Sequence, residues 1–420
     1  MSNWQKVNLD KLCFFEKGKT GLAKAIPGDY PLVTTSAERK TNDSYQFDTK
    51  AVCIPLVSST GHGHASLNYV HYQEGKFALG TILVALIPKD ETILNAQFLH
   101  LYLSRLKDMI LVPLMSGAAN VSLSISKIKT VEIPLPPIDE QLKIVELFKN
   151  LVNENNELVE EINTQQSLLK QLKQTILQEA IEGKLTEKWR VKNPDIGTAK
   201  ELLEQIKTEK EQLVKDKKIK ASKPLAPINE DEIPFDIPPT WEWYRLGDYS
   251  INRDGERKPI SQIERENRAK IYDYYGASGV IDKIDGYTHD GIFLLIGEDG
   301  ANLISRTTPI AFIANGKFWV NNHAHVLEFL NIVSLSYVEK YINAINLKPY
   351  VTGGFQPKLS QANLNNILIS IPPIEEQKEI VATIEKLFAI CDELEAEINQ
   401  NKTTVDNLMA TVLKEAFEQQ

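Results

Sequence analysis

Pro136-Pro137-Ile138-Asp139-Glu140-Gln141 returns 236 residues later as Pro372-Pro373-Ile374-Glu375-Glu376-Gln377. The match runs without a gap from Ile133 to Lys184 and from Ile369 to Gln420, and 20 of the 52 aligned positions are identical. Two copies of one structural unit follow, expected to be related by a pseudo-twofold axis. Such symmetry suits a ligand with two similar halves. Weaker anchors carry the repeat upstream. Trp4-Gln5-Lys6-Val7-Asn8-Leu9 aligns with Trp241-Glu242-Trp243-Tyr244-Arg245-Leu246, and Gly117, Leu123-Ser124 and Ile128 align with Gly353, Leu359-Ser360 and Leu364. Between these anchors the halves share little. The order is variable domain, shared segment, variable domain, shared segment.

The shared segment reads as a long helix. In the first copy Ile144, Phe148, Leu151, Leu158, Ile162, Leu169, Leu172, Ile176 and Ala180 follow alternating steps of four and three, with Asn155 and Gln165 in the gaps. In the second copy Ile380, Ile384, Leu387, Cys391, Leu394, Ile398, Val405, Leu408, Val412 and Ala416 keep the same seam. Five to six heptads of this kind predict a coiled coil. The Pro-Pro step excludes helix just before it, and Asp139 or Glu375 puts negative charge where the macrodipole favours it. About 43 residues at 1.5 Å each make a rod of roughly 65 Å. Two matched copies with a folded domain between them favour antiparallel pairing within the chain, with the domains at opposite ends. Pairing between chains is the alternative.

At 420 residues the chain allows several domains. It has no apolar run long enough to span a membrane and no signal-peptide pattern at its start. Cys13, Cys53 and Cys391 form neither a disulfide framework nor a metal pattern, which fits a reducing cytoplasm. The net charge of −9 is unevenly spread: residues 1–132 sum to +3 and residues 369–420 to −7. The acidity sits on the helices, which suits a partner-binding surface facing away from any polyanion. Residues 191–240 read as a connector: a solvated helix over Thr198–Lys218, then a Pro-rich tether through Pro239. The variable domains read as strand-rich. Short apolar runs lie at Lys50–Val57, Phe77–Ile87, Gly291–Ile296, Ile310–Ala314 and Phe318–Val320, with helical periods at Ala96–Met109 and Val333–Ile345.

The order of parts resembles the specificity subunit of type I restriction–modification systems. The resemblance rests on several stretches: Gly353-Gly354-Phe355-Gln356-Pro357-Lys358-Leu359, the run from Ile371 to Gln377, their first-half counterparts, the Leu225–Trp243 connector and Lys184-Leu185-Thr186-Glu187-Lys188-Trp189-Arg190. The first half departs from the loop pattern, since Gly117-Ala118-Ala119-Asn120-Val121-Ser122-Leu123 has Asn for Gln and lacks the Lys. The resemblance implies an α+β chain: two mixed α/β target-recognition domains, separated by two long helices that form an antiparallel intramolecular coiled coil. The parts would be a first target-recognition domain at 1–132, a central helical region at 133–190, a connector at 191–240, a second target-recognition domain at 241–368 and a C-terminal helical region at 369–420. The implied partners are double-stranded DNA, two adenine methyltransferase subunits and restriction/translocase subunits. S-adenosylmethionine, ATP and Mg would belong to those partners and no cofactor to this chain.

Base readout needs polar side chains on exposed loops, and phosphate contact needs Lys or Arg. In the first domain the candidates are Lys17, Lys19 and Lys24, Arg39 and Lys40, and Ser58 and Ser59 with His62 and His64. In the second they are Arg253, Arg257 and Lys258, Tyr274 with Ser278, Arg306, Asn322 and His323, and Gln356 with Lys358. Two His-x-His elements, His62/His64 and His323/His325, raise the alternative of a metal-dependent hydrolase, but no third ligand stands at a recognisable spacing. No methyltransferase Asn-Pro-Pro-aromatic run, Walker motif or serine nucleophile elbow is present, so no catalysis is expected of the chain alone. A coiled-coil scaffold without DNA function is the remaining alternative.

Overall fold

The structure is a computed structural model. It describes residues 4–418 except 61, 62, 119 and 222, and side chains as far as residue 408. The chain divides into two compact units, residues 1–163 with 399–420 and residues 164–398, so both boundaries fall inside the long helices.

In the first unit, Ala51–Pro55 is buried at every residue, and its neighbour Leu83–Pro88 at all but Ile87. Alternating side chains leave a strand on opposite faces, so a run buried throughout must have cover on both sides. Two four-stranded sheets and a helix supply it. One sheet runs in the order Cys13–Lys17, Leu83–Pro88, Ala51–Pro55, His71–Gln73, and the other is Lys40–Asn42, Tyr30–Val33, Lys76–Leu79, Phe47–Asp48. Val33, Phe47, Phe77 and Leu79 pack with Ala51, Cys53, Leu83 and Ala85 in one layer. Val52, Ile54, Val84 and Leu86 pack with Phe98, Leu99 and Leu103 of helix Ala96–Arg105 in another. The expected strand Phe77–Ile87 is therefore two strands, broken at Gly80-Thr81 where the chain passes from one sheet to the other.

The second unit holds a six-stranded mixed sheet with His289–Gly297 and Ala311–Val320 near its centre. Phe293, Leu295, Phe318, Val320 and Val326 form the layer on one face. Helix Ile332–Ala344, with Tyr337, Val338, Tyr341 and Ile342 buried, packs against both central strands. The two runs Ile310–Ala314 and Phe318–Val320 are one strand that continues through Gly316.

Each unit opens and closes its variable domain with the same two-stranded antiparallel ribbon. Gln5–Asn8 pairs with Glu132–Leu135, and Glu242–Arg245 with Leu368–Ile371. The Pro-Pro step follows at once, and the helices Ile138–Ile181 and Ile374–Glu418 begin there. The repeated Glu-Gln now has a reason. Gln141 and Gln377 are fully buried, and each side-chain amide donates to the carbonyl of the first proline, Pro136 or Pro372, at 2.8 and 2.9 Å. Trp4 Nε1 donates to Glu140 Oε2 at 3.2 Å, and Trp241 Nε1 to Glu376 Oε2 at 2.8 Å. The second carboxylate is fully buried and gains two more partners, Thr186 Oγ1 at 2.8 Å and Arg190 Nε at 2.9 Å.

Within the second unit the helices run antiparallel. Lys173 Nζ is 2.8 Å from both Asp392 and Glu395, while further along Ser370 Oγ donates to Ile181 O at 2.8 Å. The seam differs from its expected course. Ile162, Leu169, Ile176, Ile380, Ile384, Cys391 and Ile398 are buried. Ile144, Leu151 and Leu387 are half-buried. Leu158, Leu172, Leu394 and Leu408 are exposed at 42–53 %, while Val152, Val159 and Lys173 are half-buried. Between Ile162 and Ile176 and between Ile384 and Ile398 the covered seam residues fall on one seven-residue row of each helix, with Leu169 and Cys391 midway, while Leu158, Leu172 and Leu394 of the alternate row are left uncovered.

The connector is also more than a tether. Helix Ala199–Lys215 buries Leu203 and Ile206, and the Lys210 ammonium donates to Gly247, Asp248 and Ser250 carbonyls at 2.9–3.2 Å, capping the short helix Leu246–Tyr249. Burial depresses the Lys210 pKa.

Two outcomes follow. Ile176→Ala should cost roughly 2–5 kcal/mol in denaturant unfolding, whereas Leu172→Ala should stay within about 0.5 kcal/mol. Glu376→Ala strips a buried Arg, Trp and Thr of their shared acceptor and should cost roughly 3–5 kcal/mol. Glu140→Ala, with one indole bond at a half-exposed site, should cost about 1 kcal/mol. Equal losses at the two glutamates would contradict this assignment.

Candidate nucleic-acid interface

In the second unit Thr352 and Lys358 exchange both backbone hydrogen bonds, at 2.7 and 2.9 Å, and close the five residues between them into a tight loop. Gly353 has φ +88°, and a Cβ there would meet Gln356 O at 2.5 Å, so only glycine fits. The loop is stitched to the sheet: Leu359 N donates to Glu298 O and Gly300 N to Pro357 O. Glu298 N donates in turn to His323 O, and Asn321 N to Tyr275 O. The hairpin turn at Ala277-Ser278 lies against Gly297. Three connections thus meet at one end of the six-stranded sheet. They expose Ser278, Asn322, His323, Gln356 and Lys358 together.

A charged cluster lies beneath them. Glu298 receives Arg257 Nη1 at 2.6 Å and Lys358 Nζ at 3.0 Å, with His325 Nδ1 at 3.8 Å. Burial opposes ionisation of Glu298, but the hydrogen bonds from Arg257 and Lys358 outweigh it and hold the carboxyl below its usual range. His325 is buried, with Nδ1 2.6 Å from Asp254 and Nε2 donating to Leu359 O at 2.8 Å. His323 pairs with Asp299 at 2.8 Å. Among the described residues no group of three or more His, Cys, Asp or Glu side chains is arranged to hold a metal ion.

The first unit builds the same loop. Ser116 and Ser122 exchange both backbone bonds at 2.9 Å, and Gly117 has φ +136°, where a Cβ would collide with Asn120 O. Leu123 N donates to Leu56 O, and Ser58 N to Val121 O. Lys127 Nζ braces the loop through Leu114 O at 2.8 Å. The aligned Asn363 does the same through Tyr350 O, also at 2.8 Å. The Ser58–Ser66 loop stands beside it: Ser58 Oγ donates to His64 O at 2.6 Å, and Ser59 Oγ accepts from Asn68 N. These hydroxyls shape the loop, and His64 is exposed upon it. Leu56 N donates to Ile82 O and Gly18 N to Leu83 O, so the arm bearing exposed Lys17 and Lys19, which continues to Lys24, leaves the same end of the sheet. His62 lies outside the described residues.

Six candidates are held within the fold. Tyr274 is 1 % exposed, its hydroxyl bonded to the Ile260 backbone and its ring under Arg265, so it is a core residue. Arg306 donates to Ile342 and Ile345 carbonyls at the end of helix Ile332–Ala344, and burial pulls its pKa down to about 10. Arg253 is paired with Glu328 and Glu256, and Arg257 with Glu298. Arg39 donates to Gln73 Oε1, His71 Nδ1 and Tyr72 O. Burial and that guanidinium push the His71 pKa down to about 4, which keeps it a neutral acceptor. Ser58 is occupied as described. Lys40 and Lys258 are exposed. Sequence reasoning missed Phe355, which stands fully exposed at the tip of the second loop. Its signal was an aromatic between a Gly-Gly pair and Gln356.

A family profile described as the type I restriction modification DNA specificity domain matches residues 1–166 and 238–401. The EcoDI specificity subunit of Escherichia coli is 23% identical over 429 residues, covering 99% of this chain and 88% of that protein. The EcoEI specificity subunit, also from Escherichia coli, is 29% identical over 269 residues, 57% of this chain and 44% of that one. A putative specificity subunit of Haemophilus influenzae is 36% identical over 153 residues, 36% of this chain and 38% of that one. The chain thus spans less than half the length of these last two relatives. The HsdS subunit of Thermoanaerobacter tengcongensis shares the fold with a TM-score of 0.56, at 16% identity and coverage of 100% and 97%. A chain from a structure addressing assembly and conformational transition of the type I R-M system gives 0.64, at 16% identity and coverage of 99% and 98%. With two matched domains, each followed by a long helix that opens on the same buried glutamine, the chain belongs to the family of type I restriction–modification specificity subunits.

Proposed function

We propose that this chain is the DNA-reading subunit of a type I restriction–modification assembly and catalyses nothing itself. Each variable domain reads one half of a split duplex site. The observation that carries this reading is the doubled loop: one pinned, glycine-dependent loop beside different polar side chains in each unit. A shared frame bearing different readout groups is what two unlike half-sites require. In the first unit the contacts fall to Lys17, Lys19 and Lys24, Lys40, Ser59 and His64. In the second they fall to Lys258, Ser278, Asn322, His323, Gln356 and Lys358.

The long helices serve the partners. Their acidity disfavours contact with phosphates. They expose Leu142, Leu147, Leu158, Leu168, Leu172, Ile390, Leu394 and Leu408, an apolar surface beyond what a solvated rod needs. Two adenine methyltransferase subunits dock there, and restriction/translocase subunits join them. S-adenosylmethionine, ATP and Mg are bound by those partners. Among the described residues no helix is long and apolar enough to cross a membrane, and the assembly acts on DNA in the cytoplasm.

Co-expressed with its methyltransferase subunit, the chain should direct adenine methylation to a two-part site with an unread gap. Replacing residues 241–368 with the matching domain of a relative should change one half of that site and leave the other intact, as read by sequencing methylated DNA. A scaffold without DNA function would give no site-specific methylation. Leu158→Asp should leave the helix pairing intact, because the side chain is exposed, yet reduce the methyltransferase recovered with the chain by about tenfold or more. Unchanged subunit stoichiometry would remove the helices from the partner interface.

A further inference from the structure

Phe355 is fully exposed, although its loop is not loose. The Thr352–Lys358 bridge closes the loop, and Gly300 and Leu359 stitch it to the sheet edge. A ring held out on a rigid base buries nothing within its own chain. Its flanking residues are Gly354 and Gln356, and exposed Lys358, Asn322 and His323 share the same edge. An apolar protein contact gathers several apolar side chains into a patch. A single flat ring among amides and cations suits a nucleobase, which offers a π-face to stack on and a groove edge and phosphate for the neighbours. The aligned residue of the first half is Ala119, which has no ring.

We propose that Phe355 stacks on a base of the second half-site, as a wedge that opens one base step while Gln356 and Lys358 contact the flanking base edge and backbone. This rests on the DNA-reading function proposed above and adds to it an asymmetry. Apart from the adenines that the methyltransferase subunits must turn out of the duplex, only the half-site read by residues 241–368 meets a ring that can open a step, because the aligned residue of the first half is an alanine.

The test uses the chain assembled with its methyltransferase subunits, without S-adenosylmethionine. The duplexes carry 2-aminopurine at positions in either half-site that are neither the methylated adenine nor its neighbours. The intact complex should brighten 2-aminopurine at one step of the second half-site and at no such step of the first. Phe355→Ala should abolish that signal and weaken binding by roughly 5- to 150-fold. Phe355→Trp should restore both. Because the ring touches nothing in the fold, the Ala variant should match the parent in thermal unfolding. If the intact complex binds and methylates a two-part site but Phe355→Ala binds as tightly with an unchanged signal, the wedge is wrong and the DNA-reading function stands. If the intact complex recognises no DNA site, both fail. If Phe355→Ala sheds methyltransferase subunits, the ring is a protein contact and the proposal is overturned.

Discussion

A carboxylate that is wholly shielded from water must be matched by donors, because an uncompensated buried charge costs several kcal/mol. Glu376 meets this condition through Thr186 and Arg190, from one stretch of the sequence, and Trp241, from another. Satisfying that one group draws the end of the central helical region, the start of the second variable domain and the base of the C-terminal helix to a single point. The buried Gln377 beside it ties down Pro372 O and reaches the hydroxyl of Tyr249. The helix therefore leaves the domain in one direction only. The first unit repeats the indole–carboxylate and amide–proline bonds in a more open setting.

From that fixed base each domain is a closed circuit. The first strand pairs with the last, so the variable sequence between them can change without moving the helix start. Loops on such a frame tolerate substitution better than strands do. The loop that precedes the last strand is closed by backbone bonds and braced from outside by Lys127 or Asn363, and the closing backbone bonds do not depend on which side chains ride on the loop. Gln356 and Asn120 therefore occupy equivalent places with the same carboxamide at different reach, while Gly353 and Gly117 stay glycine because their φ values and close approaches demand it. This arrangement separates the geometry of the loop from the side chains that it carries.

The charged residues divide along the same line. Arg39, Arg253, Arg257 and Arg306 are engaged with carbonyls or carboxylates of their own unit, whereas Lys17, Lys40 and Lys258 stand exposed. Planar guanidinium groups form several directed bonds at once and so serve as internal braces. In a linear sequence both types read only as positive charge near a loop.

The sequence by itself determined the repeat, the two long helices and the order of the parts. These rest on local rules: a proline pair that forbids helix, heptad spacing that demands it, and identities that survive alignment. It also placed Asn322, His323, Gln356 and Lys358 on turns, where the structure leaves them exposed, because turn chemistry and polarity are local too. Tertiary structure alone decided which side of each helix is covered, since the partner helix covers the row of Ile162, Leu169 and Ile176 and leaves Leu158 and Leu172 outside. It alone sent Tyr274, read as an exposed loop residue, into the core. Burial depends on what arrives from far along the chain, and no window of sequence contains that information.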